Sequence, residues 1–164
     1  SVLKSIVPSM ISIMCASFTQ CSLVEISAEI PSATDDDNLS RYSIYTIFGS
    51  MYIGRQIAVF TAIKSQVKLF FISCVFIVLY AGIIVYVKTE LFLNDIFILV
   101  YIGLVCATSS WILSNSYQTS SLAVSREYSE QRIASNTMNI FLYISIFLCL
   151  IFSYFINILP DLMK

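Results

Sequence analysis

The chain has 164 residues, 58% hydrophobic and 12% charged, with a net charge of −1, only four Gly and three Pro, and no His. Soluble domains carry about a quarter charged residues, so charge is depleted here with no gain in Gly or Pro, which excludes disordered, collagen-like and low-complexity classes. Nine Lys and Arg make no basic footprint for nucleic acid, and a mean hydropathy of +0.85 with charges confined between long apolar runs reads as an integral membrane protein.

A spanning helix needs about 20 mostly apolar residues to cross about 30 Å of hydrocarbon. Between Lys4 and Glu25 lie 20 uncharged residues, and between Arg41 and Lys64 lie 22 broken only by Arg55. Leu69–Val87 gives 19, Ile96–Ser125 gives 30 and Ile133–Pro160 gives 28. Five spans are therefore expected, at about 5–25, 42–63, 68–87, 93–120 and 136–159, all of them helices because lipid leaves backbone groups no outside partner. Short connections make neighbours antiparallel, and no linker divides the membrane domain. Five spans that begin in mid-run are expected to be one half of a larger transporter, with the site between the halves.

Positive charges near span ends set orientation. With the N-terminus cytoplasmic, Lys4, Lys64, Lys68, Arg126 and Arg132 fall inside, and Arg41, Lys88 and Lys164 outside. The acidic residues Glu29, Asp35, Asp36, Asp37, Glu90, Asp95 and Asp161 also fall outside. The C-terminus is then extracellular. Asn38-Leu39-Ser40 is a glycosylation sequon on the outer side, close to the membrane.

Polar stripes at helical spacing in lipid report a cavity or a helix contact. The first span carries Ser5, Ser9, Ser12, Ala16, Thr19 and Gln20, and the fourth carries Ser110, Ser114, Tyr117, Gln118 and Ser121, widened by Ser109 and Asn115. The fifth has Ser135, Asn136, Asn139 and Tyr143 near its inner end, whereas the third is nearly all apolar and reads as peripheral. A single Ser in a membrane helix usually packs or bonds back to its own helix. The amides Gln20, Asn115 and Gln118 need several partners, and for them pathway lining and interhelix hydrogen bonding stand as equal alternatives.

Arg55 is the sharpest signal. An Arg deep in a span costs roughly 2.5 to 3.5 kcal/mol on insertion scales, so it is a functional candidate. Tyr45, Phe48, Tyr52 and Gln56 share its face at steps of three and four. A guanidinium beside aromatic rings suits a flat polar solute. The alternative is an ion pair with a carboxylate on a helix outside this chain. Lack of His removes most zinc and general-base chemistry. The five Cys all lie within spans without C-x-x-C spacing and read as small core residues. No phosphate-loop or nucleophile-elbow motif is present. No enzyme, metal or cofactor is expected.

These residues carry a family resemblance. The stretch Met51-Tyr52-Ile53-Gly54-Arg55 resembles the eighth helix of equilibrative nucleoside transporters, where an Asp, three residues and Arg follow one another with Gly before the Arg; Met51 stands in place of that Asp. Ser114-Asn115-Ser116-Tyr117 is similar to the Ser-Asn-Gly-Tyr of the tenth helix. Ala134-Ser135-Asn136-Thr137-Met138-Asn139-Ile140-Phe141 is similar to the opening of the eleventh, and Phe152-Ser153 follows at the family's distance. The resemblance covers most of the chain but is concentrated in 50–56 and 109–154. It implies an all-α integral membrane fold, five transmembrane helices forming the C-terminal half of a major-facilitator-like transporter. It further implies facilitative transport of nucleosides or nucleobases, purines favoured, at the plasma membrane.

In that arrangement the seventh and tenth helices line the cavity and the ninth is peripheral. Arg55 would contact solute or gate, Tyr52 and Gln56 would shape the site, and Gln20, Ser114, Asn115 and Gln118 would line the route. Met51 leaves Arg55 without an acidic partner in its own helix, and a shift toward a nucleobase or an anionic purine derivative would answer that. The implied partners are the solute, the bilayer and the N-terminal half of the carrier. Two other readings stand beside this one: a facilitator-type carrier of another small polar solute, and a non-transporting scaffold whose polar residues only join helices.

Overall fold

The computed structural model describes residues 2–32, 38–89, 94–124 and 127–162, leaving out the side chains of 29 and 156–162. Residues 35–37, Glu90, Arg126 and Lys164, used above for orientation, lie outside the described set, as do the side chains of Glu29 and Asp161. The described residues are all-helical: α1 (Val2–Ile26), a 3-10 turn (Ser27–Glu29), α2 (Leu39–Phe60), α3 (Gln66–Thr89), α4 (Asp95–Leu122) and α5 (Tyr128–Leu162).

Helix boundaries follow local chemistry. The Asn94 side chain caps α4, its Oδ1 accepting from the Phe97 amide at 2.9 Å, which satisfies one of the open N–H groups of the first turn. Helix α2 stops at Phe60, and 62–65 are non-helical. It therefore ends three residues before the expected 63. Helix α5 starts at Tyr128, eight residues before the expected 136, because Glu130 and Arg132 are good helix formers and a helix need not stop where the hydrocarbon does.

Four helices, α1, α3, α4 and α5 (over Tyr128–Phe155), are long and apolar enough to cross a membrane, which is compatible with a multi-pass membrane protein. The expected second span differs. At 22 residues α2 rises about 33 Å, so its length suffices, but Arg41, Arg55 and a run of Ser and Tyr keep its apolarity below that of the others.

Helices α1 and α4 form the centre. Helix α3 packs on both, α2 packs chiefly on α4, and α5 chiefly on α1. Helix α3 buries Leu69, Ser73, Phe76, Tyr80, Ile83 and Val87, one stripe at steps of three and four, and leaves Phe71, Val75 and Val78 exposed. It is outermost on its side, with its hydroxyls turned inward: Ser22 and Tyr80 share a hydrogen bond at 2.5 Å.

Candidate functional site

The polar stripes of α1 and α4 face each other. Gln20 Nε2 donates to Ser110 Oγ at 2.7 Å and to Ser109 Oγ at 3.2 Å, while Ser9 and Thr119 share a hydrogen bond at 3.0 Å. Ser9, Ser12, Thr19, Ser109, Ser110 and Thr119 are all buried. Ser12 and Thr19 bond back to the Pro8 and Cys15 carbonyls at 2.9 Å. Between α1 and α5, Ser17 and Ser145 are hydrogen-bonded. With lipid offering no hydrophobic drive between helices, such bonds and close packing hold a bundle together. In this arrangement Gln20 joins helices.

Asn115 is also bonded at both its amide oxygen and its amide nitrogen. Its Oδ1 accepts from the Ile63 amide at 2.7 Å and its Nδ2 donates to the Trp111 carbonyl at 3.0 Å. The segment 61–65 between α2 and α3 is thus fastened to α4. Gln66 adds a bond from Nε2 to the Thr119 carbonyl at 3.2 Å, and the Trp111 indole donates to Thr61 Oγ1 at 2.6 Å. Irregular backbone beside a membrane helix must find such partners or water.

Helices α2 and α4 cross at small residues. Thr46, Ser50, Gly54 and Ala58 recur every fourth residue on α2. A Cβ on Gly54 would collide with the Ala107 carbonyl oxygen, standing 2.8 Å from its carbon and 2.9 Å from Cα. A Cβ on Gly103 would meet Ser50 Oγ at 3.1 Å and Thr46 Cγ2 at 3.3 Å. Small residues at four-residue steps allow this approach, a signal the sequence reading passed over. The contact also explains Gly54 without reference to any ligand.

That crossing sets the level of Arg55. It is the seventeenth of 22 residues in α2, near the helix end. Its neighbour Gly54, however, packs on Ala107, the thirteenth of 28 in α4, so Arg55 lies level with the middle of the longest central helix. Helical side chains lean toward the N-terminus, which on α2 is away from the nearer end. Arg55 is exposed, and so are Tyr45 (72%), Phe48 (59%), Tyr52 (66%) and Gln56, whereas Met51 packs against the core. Among the described residues no side chain pairs with Arg55. The Arg55 face therefore points out of this bundle.

Beyond Trp111, which bonds to Thr61, α2 has ended. The face of α4 that receives it, Gly103, Ala107 and Trp111, continues at steps of three and four as Ser114, Gln118 and Ser121. Ser114 and Gln118 are half-buried and Ser121 is exposed. Tyr117 borders the strip, its hydroxyl donating to Asn139 Oδ1 on α5 at 2.7 Å. The structure thus divides the expected site residues. Arg55, Tyr52, Gln56, Ser114 and Gln118 lie on open surfaces of α2 and α4, while Gln20 and Asn115 are bonded inside the bundle. Ser121 and the Tyr117–Asn139 pair belong with the open group. Asn38 is exposed immediately before α2. No cluster of three or more metal-ligating side chains occurs among the described residues.

Comparison with known protein families, with curated proteins and with solved structures gave no match.

Proposed function

We propose that this chain is the C-terminal half of a facilitative carrier for nucleosides or nucleobases, purines favoured, that works by alternating access in the plasma membrane. Its N-terminus is cytoplasmic and its C-terminus extracellular. The observation that carries this reading is the placement of Arg55. It is an exposed guanidinium at the level of the middle of α4, and beyond the end of α2 the same face of α4 goes on as Ser114, Gln118 and Ser121. A charge at that depth needs a partner or water, and five outward-facing polar or aromatic groups on α2 fit a second membrane half or a solute between the halves. Because Met51 faces the core, the counter-charge to Arg55 comes from that other half or from the solute.

The test is uptake of labelled adenosine and hypoxanthine by the full-length parent protein and its Arg55→Gln variant at matched surface expression. Saturable uptake in the parent and its loss in the variant supports the reading. Lack of purine uptake by correctly inserted parent overturns the nucleoside assignment and leaves a carrier of another small polar solute. The hydrogen bonds of Gln20, Ser9 and Ser17 favour a second reading, a multi-span scaffold whose polar groups join helices. In a scaffold the 114–121 strip is closed to water-soluble thiol reagents.

A further inference from the structure

The other flank of α2 carries an apolar cleft. Ile53 and Ile57 stand on the opposite side of the Gly54 stripe from Arg55 and Phe48, and with Val100, Leu104 and Ala107 they bound a space of about 470 Å³. It continues into a second section of about 490 Å³, which shares Ile57, Leu104 and Ala107 and ends at Thr61 and Trp111. Along α4 the two sections run from Leu99 to Trp111, a rise of about 18 Å over the intervening residues. On its wall Trp111 bonds to Thr61, the Thr61 hydroxyl to the Ile57 carbonyl at 2.7 Å and the Thr108 hydroxyl to the Leu104 carbonyl at 2.8 Å, and the Thr46 and Ser50 hydroxyls line the first section among chiefly apolar side chains. Such a cleft offers a polar solute few partners and fits a hydrocarbon chain.

Two cations follow the Thr61 end of the cleft in sequence. Lys64 is exposed in the 61–65 segment beside Thr61, and Lys68 is exposed in the first turn of α3. The Lys68 side chain leans toward the start of α3, which for a membrane-spanning α3 is the membrane surface on that side. Neither ammonium has a partner among the described residues. Basic groups beside a cleft between membrane helices fit an anionic lipid headgroup.

We propose that this cleft holds one acyl chain of an anionic glycerophospholipid from the leaflet on the Lys64 side, with the lipid phosphate held by Lys64 and Lys68. The proposal is independent of what the chain transports. Trp111 is the only tryptophan in the sequence and lines the cleft, so it reports occupancy directly. The full-length parent protein, with any tryptophan outside this chain replaced by phenylalanine, is placed in phosphatidylcholine nanodiscs in which either phosphatidylglycerol or phosphatidylcholine, brominated on the acyl chains, replaces an equal mole fraction.

Trp111 should be quenched at a lower mole fraction of the anionic lipid, by about fivefold per lysine at low ionic strength, and the preference should shrink with salt. It should disappear in the Lys64→Gln, Lys68→Gln double variant. Both positions are exposed, so that variant keeps its helix packing, which circular dichroism checks. Equal quenching by the two lipids, or a preference that survives in the double variant, overturns the headgroup assignment. Absence of quenching by either lipid overturns the cleft.

Discussion

Gly54 and Ala107 touch backbone to backbone, so closely that the Ala107 carbonyl occupies the place a Cβ on residue 54 would need. A carbonyl inside a helix cannot step aside as a flexible side chain can. Gly54→Ala should therefore cost about 1–3 kcal/mol, the usual penalty for overpacking, seen as a lower unfolding temperature in detergent. Gly49, one turn earlier, has open space at its Cβ. Gly49→Ala should stabilise α2 by about 0.5–1 kcal/mol through lost backbone freedom in the unfolded chain. The opposite signs of two identical changes would test the crossing itself.

Ser43 gives a change that should raise stability. It is buried in α2, and its Oγ has no hydrogen-bond partner among the described residues. An unpaired buried hydroxyl costs about 1–3 kcal/mol, and replacing it by an apolar group removes that cost. Ser43→Ala should raise the thermal midpoint, whereas Ser17→Ala, which breaks its bond with Ser145, should lower it.

Asn115 should act on the segment between α2 and α3. Asn115→Ala leaves the Ile63 amide without its acceptor, at about 1–3 kcal/mol if water does not replace it. Hydrogen exchange at Ile63 should then quicken well before exchange within α4 does. Gln20→Leu, in contrast, removes an interhelix bond of a kind that averages about 0.6 kcal/mol in membrane proteins. It should lower stability slightly and leave the apparent affinity for a transported solute unchanged. A large change in affinity with intact stability would return Gln20 to the route.

Accessibility should follow the face left free by α2. In a background with the five native cysteines replaced, single cysteines at Ser114, Gln118 and Ser121 should react with a membrane-impermeant thiol reagent. Cysteines at Ser109 and Ser116, which are buried, should not, nor should one at Leu104 on the apolar cleft. Uniform inertness along 114–121 would favour the scaffold.

The five helices were legible because lipid demands about 20 apolar residues between charges, and Lys4, Glu25, Arg41, Lys64 and Lys68 mark the edges of the first three. The start of α5 was not, since a charge ends a hydrophobic run without ending a helix. The polar stripes were also legible as stripes. What periodicity cannot give is the partner of each face. Ser110 and Ser114 are four residues apart on α4, yet one binds Gln20 and the other lies where α2 has ended. Likewise Gly54 read as part of a motif, while its contact with Ala107 depends on where two distant helices cross.

The shortness of α2 has a consequence for the bilayer itself. Thr61 meets Trp111, whereas α4 runs on to Leu122, a further rise of about 16 Å. Beside that stretch of α4 the chain continues as the non-helical 61–65 segment, bonded at Asn115, where a membrane reading would set hydrocarbon against irregular backbone instead of a helix. Mismatch of this kind costs fractions of a kcal/mol per ångström and is met by local thinning or tilt. On the membrane reading proposed above, acyl-chain length should act on this side of the protein, with thick bilayers met by a steeper tilt of α2 against α4 than thin ones.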